Sequence, residues 1–231
     1  MATTTIKAAD GGSFSAYVAM PKAGKGPGVL CIQEIFGVNK PMRDIADMWA
    51  SEGYIAVAPD LFWRQEPGVD ITDQTEAEWN KAFALYKGFD VEKGIDDLKA
   101  TLAAMRAMPE CTGKVGTVGF CLGGFLAYMM ACRSDADANV GYYGVGIQDK
   151  LGEAKAISKP LMLHVAEADK FVPPEAQAKI VDGLSGNPLV TIHTYPGMDH
   201  AFARIGGQPY DKDAADAANG RTAELFKSAL R

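Results

Sequence analysis

The sequence predicts an α/β fold built on a mainly parallel sheet of about eight strands, with helices on both faces. Three observations predict it. Short apolar runs alternate with helical segments along the chain, the order that βαβ units produce. The runs are apolar nearly throughout instead of alternating with polar residues, as strands covered on both faces are. The composition, 48% hydrophobic and 23% charged over 231 residues, is that of an ordinary globular chain and excludes collagenous, coiled-coil and disordered classes.

The elements follow in order. Thr3–Lys7 and Ser13–Val18 flank Gly11-Gly12 and are expected to form a hairpin. Pro27–Ile35 reads as a buried strand, and Asn39 is placed to cap a helix from Pro41 to Glu52. Tyr54–Ala58 is a second buried strand, stopped by Pro59. A polar stretch from Asp60 to about Thr75 precedes a helix from about Glu76 to Met108, with a break at Gly88. Lys114–Phe120 is a strand, Leu122–Cys132 a helix, Ala138–Tyr143 a strand and Gln148–Ile157 a short helix. Pro160–Glu167 and Leu189–Tyr195 are strands, Pro174–Leu184 and Asp213–Leu230 helices. No linker, repeat or low-complexity segment interrupts the pattern, so residues 1–231 are expected to form a single domain. The 60–75 stretch is then a loop at the functional end of the sheet.

Charge and cysteine usage narrow the classes. Lys plus Arg number 23 and Asp plus Glu 29, giving a net charge of −6 without a basic stripe, which argues against nucleic acid as a partner. The longest apolar stretch, Cys121 to Cys132, is too short to cross a bilayer. The first residues, MATTTIKAADGG, lack the pattern of a signal peptide. The four cysteines, Cys31, Cys111, Cys121 and Cys132, form neither a CxxC pair nor a zinc-type cluster. The expectation is a cytoplasmic protein with reduced thiols, no metal and no membrane association. Cys111 is expected in a loop, Cys132 in a helix core and Cys31 within a strand.

The sharpest local signal is Gly119-Phe120-Cys121-Leu122-Gly123-Gly124, at a strand-to-helix junction. It is a glycine-x-nucleophile-x-glycine pattern with Cys where Ser usually stands. A nucleophile on such a turn needs small neighbours, and at the N-terminus of the next helix the dipole favours a thiolate. A base and an orienting acid should follow downstream, the acid first. Of the three histidines, His164 and His193 lie inside strands, whereas His200 follows Pro196-Gly197-Met198-Asp199 in a loop after the last strand. Asp169, just past the preceding strand in Glu167-Ala168-Asp169, is the acid candidate, with Glu167 and Asp199 as rivals. The order Cys121, Asp169, His200, each after its own strand, is that of a nucleophilic triad.

These residues resemble a known family. GFCLGG, ADKFVPP and PGMDHAFAR, together with QEIFG at Gln33–Gly37 and GYYGVG at Gly141–Gly146, are similar to the dienelactone hydrolase (carboxymethylenebutenolidase) family over nearly the whole chain. The resemblance implies a single-domain α/β-hydrolase fold, a monomer without cofactor, acting on a small lactone or ester. It implies Cys121 as nucleophile, His200 as base, Asp169 as orienting acid, and Glu34 as the group that pairs with the resting thiol. In the same terms, the backbone amides of Leu122 and Ile35 would hold the oxyanion. Arg204 matches a substrate-binding arginine of the family. A second family arginine falls at Trp79, and a tyrosine at Phe83, so the pocket expected around Phe36, Trp79 and Phe83 is more apolar than the family pattern. Such a change weakens carboxylate recognition by about 1.5–3 kcal/mol.

The resulting expectation is a hydrolase that opens an enol lactone, dienelactone to maleylacetate, through a thioester acyl-enzyme. Two alternatives stay open on the sequence. One is a related carboxylesterase or lactonase with a less anionic substrate, which Trp79 favours. The other is a non-catalytic binding protein that uses Cys121 as a reactive thiol.

Overall fold

A computed structural model describes residues 2–231, and among them the chain carries eight strands and six α-helices. It resolves into two compact units, Met1–Val115 and Gly116–Arg231, and the division falls inside one strand, β5 (Cys111–Phe120), instead of in a linker.

The first unit holds β1 (Ala2–Lys7), β2 (Ser13–Ala19), β3 (Gly26–Ile32) and β4 (Ile55–Pro59), in the spatial order β1-β2-β4-β3. The hairpin predicted around Gly11-Gly12 forms, with Ile6 opposite Phe14 in antiparallel register. β2 is also antiparallel to β4, and β3 and β4 are parallel, with Val29 opposite Ala56. Every residue of β3 and β4 is buried, which is why both read as unbroken apolar runs. Three helices start on side-chain caps. Asn39 accepts the Met42 N–H at 3.2 Å to open α1 (Lys40–Ser51), and its own amide donates to the Ile71 carbonyl at 2.9 Å. Thr75 opens α2 (Glu76–Lys87) by accepting the Glu78 N–H, while its hydroxyl donates to the Glu78 carboxylate at 2.7 Å. Asp90 caps α3 (Val91–Arg106) in the same way through Lys93.

The second unit carries β5 from Gly116 onward, then β6 (Ala138–Tyr142), β7 (Leu161–Ala166) and β8 (Val190–Tyr195), in that spatial order and all parallel. Phe120 lies opposite Tyr142, Tyr142 opposite His164, and His164 opposite His193. The carboxyl ends therefore line one edge, where α/β sheets place their sites. The helices here are α4 (Leu122–Arg133), α5 (Pro174–Leu184) and α6 (Lys212–Leu230). α4 is buried from Leu122 to Cys132, the condition of a helix with no polar face.

Several boundaries differ from expectation. β3 ends at Ile32, three residues short, because Gln33–Phe36 stay buried in a turn; burial alone imitates a strand. The long helix is two, since Asp90 caps a new start after Gly88. Gln148–Ile157 forms 3₁₀ turns, Ile147–Asp149 and Leu151–Ala156, instead of an α-helix. Cys111 opens β5 and is not a loop thiol.

Candidate active site

Cys121 sits between β5 and α4 with φ 54° and ψ −116°, a left-handed conformation that a non-glycine residue holds only where its surroundings force it. The surroundings are visible. A Cβ on Gly119 would lie 1.9 Å from the Gly123 carbonyl oxygen, and one on Gly124 would lie 2.3 Å from the Tyr142 carbonyl oxygen. Only hydrogens at these positions let the start of α4 press against β5 and β6. The Cys121 N–H donates to the Tyr142 carbonyl at 3.1 Å, and its carbonyl accepts from Gly124 and Phe125. The side chain, partly buried, stands at the first turn of α4, where the Leu122 amide belongs to the donors that lack an intrahelical acceptor.

The other two residues of the predicted order meet it there. His200 Nδ1 and Asp169 Oδ2 are 2.7 Å apart, both buried. The second Asp169 oxygen accepts the Phe171 N–H at 2.8 Å, which fixes the carboxylate. Of the rivals, Asp199 instead accepts the backbone N–H of His200, and Glu167 is exposed. Burial is the strongest single influence on His200 and pulls its pKa down. The Cys121 charge, hydrogen bonds with Asp169 and Cys121, and the Asp169 charge together outweigh it and raise the imidazole to about 10. The thiol, the imidazole and the carboxylate thus gather at one end of the sheet.

His164 and His193 are strand residues. His164 is fully enclosed, and burial lowers it to about 3. Arg204 lies in the turn after His200, its N–H on the Ala201 carbonyl at 2.9 Å, and at 8% exposure it is not a surface arginine. In the first unit, Glu34, Ile35 and Phe36 are all buried in the turn after β3. Trp79 stands edge-on to Phe36 with centroids 5.1 Å apart, and it stacks on Phe83 at 5.4 Å; its indole N–H donates to the Asp73 carbonyl. The expected apolar group is therefore one contiguous tray. Two cations of this unit are paired: Arg64 with Asp97 and Asp10, and Lys81 with Glu66 at 2.6 Å.

Two ring neighbours of His200 carried no role in the sequence reading. Tyr143 has φ 38° and packs edge-on to His200 at 5.1 Å. Phe171 reaches the imidazole at 4.9 Å while remaining 47% exposed. Ala201, with φ 64°, is the third strained non-glycine residue. Among the described residues the three strained positions are thus the candidate nucleophile Cys121, Tyr143 against the His200 ring, and Ala201 next to His200 in the chain. The tyrosine pair inside GYYGVG was the one available sign.

The fold and this edge of strand-end residues define an α/β-hydrolase. Residues 14–230 match the profile of the Dienelactone hydrolase family. A provisionally named carboxymethylenebutenolidase of Azospirillum brasilense is 54% identical across the full length of both chains. A carboxymethylenebutenolidase of Pseudomonas putida is 40% identical, covering 96% of this chain and 94% of that one. A crystal structure of a provisionally named dienelactone hydrolase from Klebsiella pneumoniae superposes with a TM-score of 0.84 at 25% identity, covering 98% and 99% of the two chains. The chain belongs to the dienelactone hydrolase family, and it is a hydrolase. Among the described residues no helix is long and apolar enough to cross a membrane.

Proposed function

We propose that the protein hydrolyses an enol lactone, dienelactone to maleylacetate, through a Cys121–His200–Asp169 triad and a thioester acyl-enzyme. The observation that carries this reading is the 2.7 Å Asp169–His200 bond, with Cys121 held at φ 54° near enough to the same imidazole for its charge to raise it. His200 takes the thiol proton, and the thiolate attacks the lactone carbonyl carbon. The tetrahedral oxyanion is held by the Leu122 amide and, by family resemblance, by that of Ile35; each such donor contributes about 3 kcal/mol to the transition state. On collapse the ring C–O bond breaks, the leaving enolate takes from His200 the proton that the thiol gave it and becomes the ketone, and the acyl carbon stays on sulfur, with the imidazole neutral again. His200 then removes a proton from water, which attacks the thioester and expels the thiolate. Resemblance also gives Glu34 as the partner of the resting thiol and Arg204 as the cation for the substrate carboxylate. The same reading makes the chain one domain, 1–231, acting as a cytoplasmic monomer in aromatic breakdown; the four free cysteines agree with a reducing compartment.

A thiolate leaves more readily than a plain alkoxide, so the chemistry favours enol and other activated esters. A second reading, a less anionic substrate, is favoured by one feature: the Phe36–Trp79–Phe83 tray stands where the family has a cation. The test is the loss of dienelactone ultraviolet absorbance, run with wild type, Cys121→Ala and Trp79→Arg. Multiple turnovers abolished in Cys121→Ala support the reading. Cleavage of p-nitrophenyl acetate but not dienelactone, with dienelactone turnover gained in Trp79→Arg, supports the second reading. Turnover that survives in Cys121→Ala overturns the mechanism.

A further inference from the structure

Beneath the triad lies a polar lattice that the mechanism does not use. It joins β6, β7 and β8 to α6, and its centre is closed to solvent: His164 and Tyr142 are each 1% exposed, and Thr222 is 0%. His164 Nε2 is 3.0 Å from Thr222 Oγ1, and His164 Nδ1 is 2.8 Å from the Tyr195 hydroxyl. Tyr142 O–H lies 2.7 Å from the same Thr222 oxygen and reaches Asn219 at 2.9 Å. Arg221 donates to the Tyr195 hydroxyl at 2.9 Å.

The Thr222–Ala218 bond assigns the arrangement around the histidine. The Thr222 hydroxyl donates to the Ala218 carbonyl at 3.0 Å, so toward His164 it accepts, and Nε2 carries the proton. Nδ1 is then an acceptor for the Tyr195 O–H, whose oxygen in turn accepts from Arg221. The imidazole is neutral, with both nitrogens satisfied. This agrees with the depressed pKa that burial imposes on it, helped by the His193 and Arg221 charges.

Each arm of the lattice ends at the backbone from which a triad residue is hung. The Tyr142 carbonyl accepts the Cys121 N–H. The His164 carbonyl accepts the N–H of Tyr143, whose ring packs on His200. The Tyr195 carbonyl accepts the N–H groups of Glu167 and Met198, at the roots of the Asp169 and His200 loops. Thr222 is bonded to two of the three strand ends, through Tyr142 and His164.

We propose that Thr222 is a positioning residue for the hydrolytic centre, acting from α6 through the neutral His164 and the Tyr142 and Tyr195 hydroxyls to set the spacing of Cys121, His200 and Asp169. Thr222 touches neither substrate nor reacting atoms. The proposal rests on the cysteine-hydrolase reading above. A small misplacement at such a centre is felt in kcat, because reacting groups must meet within a narrow geometry.

The test uses the full chain with Thr222→Val, which keeps the shape and removes the hydroxyl, and Thr222→Ser, which restores it. Two readouts are taken: kcat and KM on p-nitrophenyl acetate, and the rate constant of Cys121 alkylation by iodoacetamide. Thr222→Val is expected to lower kcat and the alkylation rate by about tenfold with KM within about twofold, and Thr222→Ser to recover most of both. A variant that only melts earlier, with both rates unchanged per folded molecule, overturns the proposal. Should Thr222→Val fail to fold, Tyr195→Phe removes one hydroxyl with the ring kept: a fall in both rates supports the lattice role, unchanged rates overturn it. A wild type that turns over no ester sinks the hydrolase reading instead, and the alkylation rate alone then decides the role of Thr222.

Discussion

Cys121 holds its sulfur in place at the expense of backbone strain. At φ 54° its Cβ is crowded in a way that glycine avoids. Two variants separate the strain from the thiol. Cys121→Ala and Cys121→Gly both lose the sulfur, but only alanine keeps the Cβ, so the glycine variant should be the more stable by about 1 kcal/mol, roughly 2–4 °C in Tm. Equal melting temperatures would mean the turn carries no strain. His200 leads to a second expectation. Its pKa is raised from 6.5 to about 10. A raised pKa means the folded state binds the proton more tightly than the unfolded one, so this stability is fully present below the unfolded value and is lost as pH rises through the folded one. Tm should therefore fall on going from neutral pH toward about 10. Cys121→Ala removes one of the charges responsible and should flatten that fall; an identical alkaline profile in the variant would refute the coupling. At this scale, residue type and order proposed Cys121, Asp169 and His200 as a group, and the Asp169–His200 pair is hydrogen-bonded in the structure. Nothing in the one-dimensional pattern separates Tyr143, Phe171 or Thr222 from other buried tyrosines, surface phenylalanines and helix threonines, because their roles arise from neighbours that are distant in sequence.

Among the elements, the β5–α4 junction is the least tolerant. The Cβ of Gly119→Ala would meet a backbone oxygen at 1.9 Å, and backbone cannot swing aside as a flexible side chain does. The substitution should cost about 3 kcal/mol or more, measured as a drop in the urea midpoint, with turnover lost alongside. A variant of normal stability and activity would mean the junction can relax. The alternation of strands and helices was readable because β3, β4 and β7 are buried along their whole length and so keep no polar face. Ends were harder. Gln33–Phe36 are as buried as the strand before them, and the apolar Ile35 and Phe36 beyond two polar residues carried the strand reading past Ile32. The break near Gly88 was visible as a glycine, but the restart depends on Asp90 accepting the Lys93 N–H, a hydrogen bond and not a hydropathy signal.

For the whole molecule, the four thiols divide into distinct environments. Cys31 is fully enclosed and burial pushes its thiol up; burial likewise raises Cys132 to about 11, against a lowering hydrogen bond from Tyr128. Cys111 is half-buried at the start of β5, whereas Cys121 stands beside His200. Limited alkylation at neutral pH followed by mass spectrometry should therefore modify Cys121 first and Cys111 slowly, with Cys31 and Cys132 protected until the chain unfolds. Prior labelling of any other cysteine would contradict this ordering. The aromatic tray has a consequence of an optical kind. Trp49 is 2% exposed, and Trp63 stacks on the buried Phe14 and donates its indole N–H to Asp97, so neither belongs to the tray. Trp79 alone combines partial solvent contact with a stack on a half-open phenylalanine. The chain thus carries its own fluorophore at the group proposed to meet substrate, and emission from that one indole can follow occupancy without an added dye.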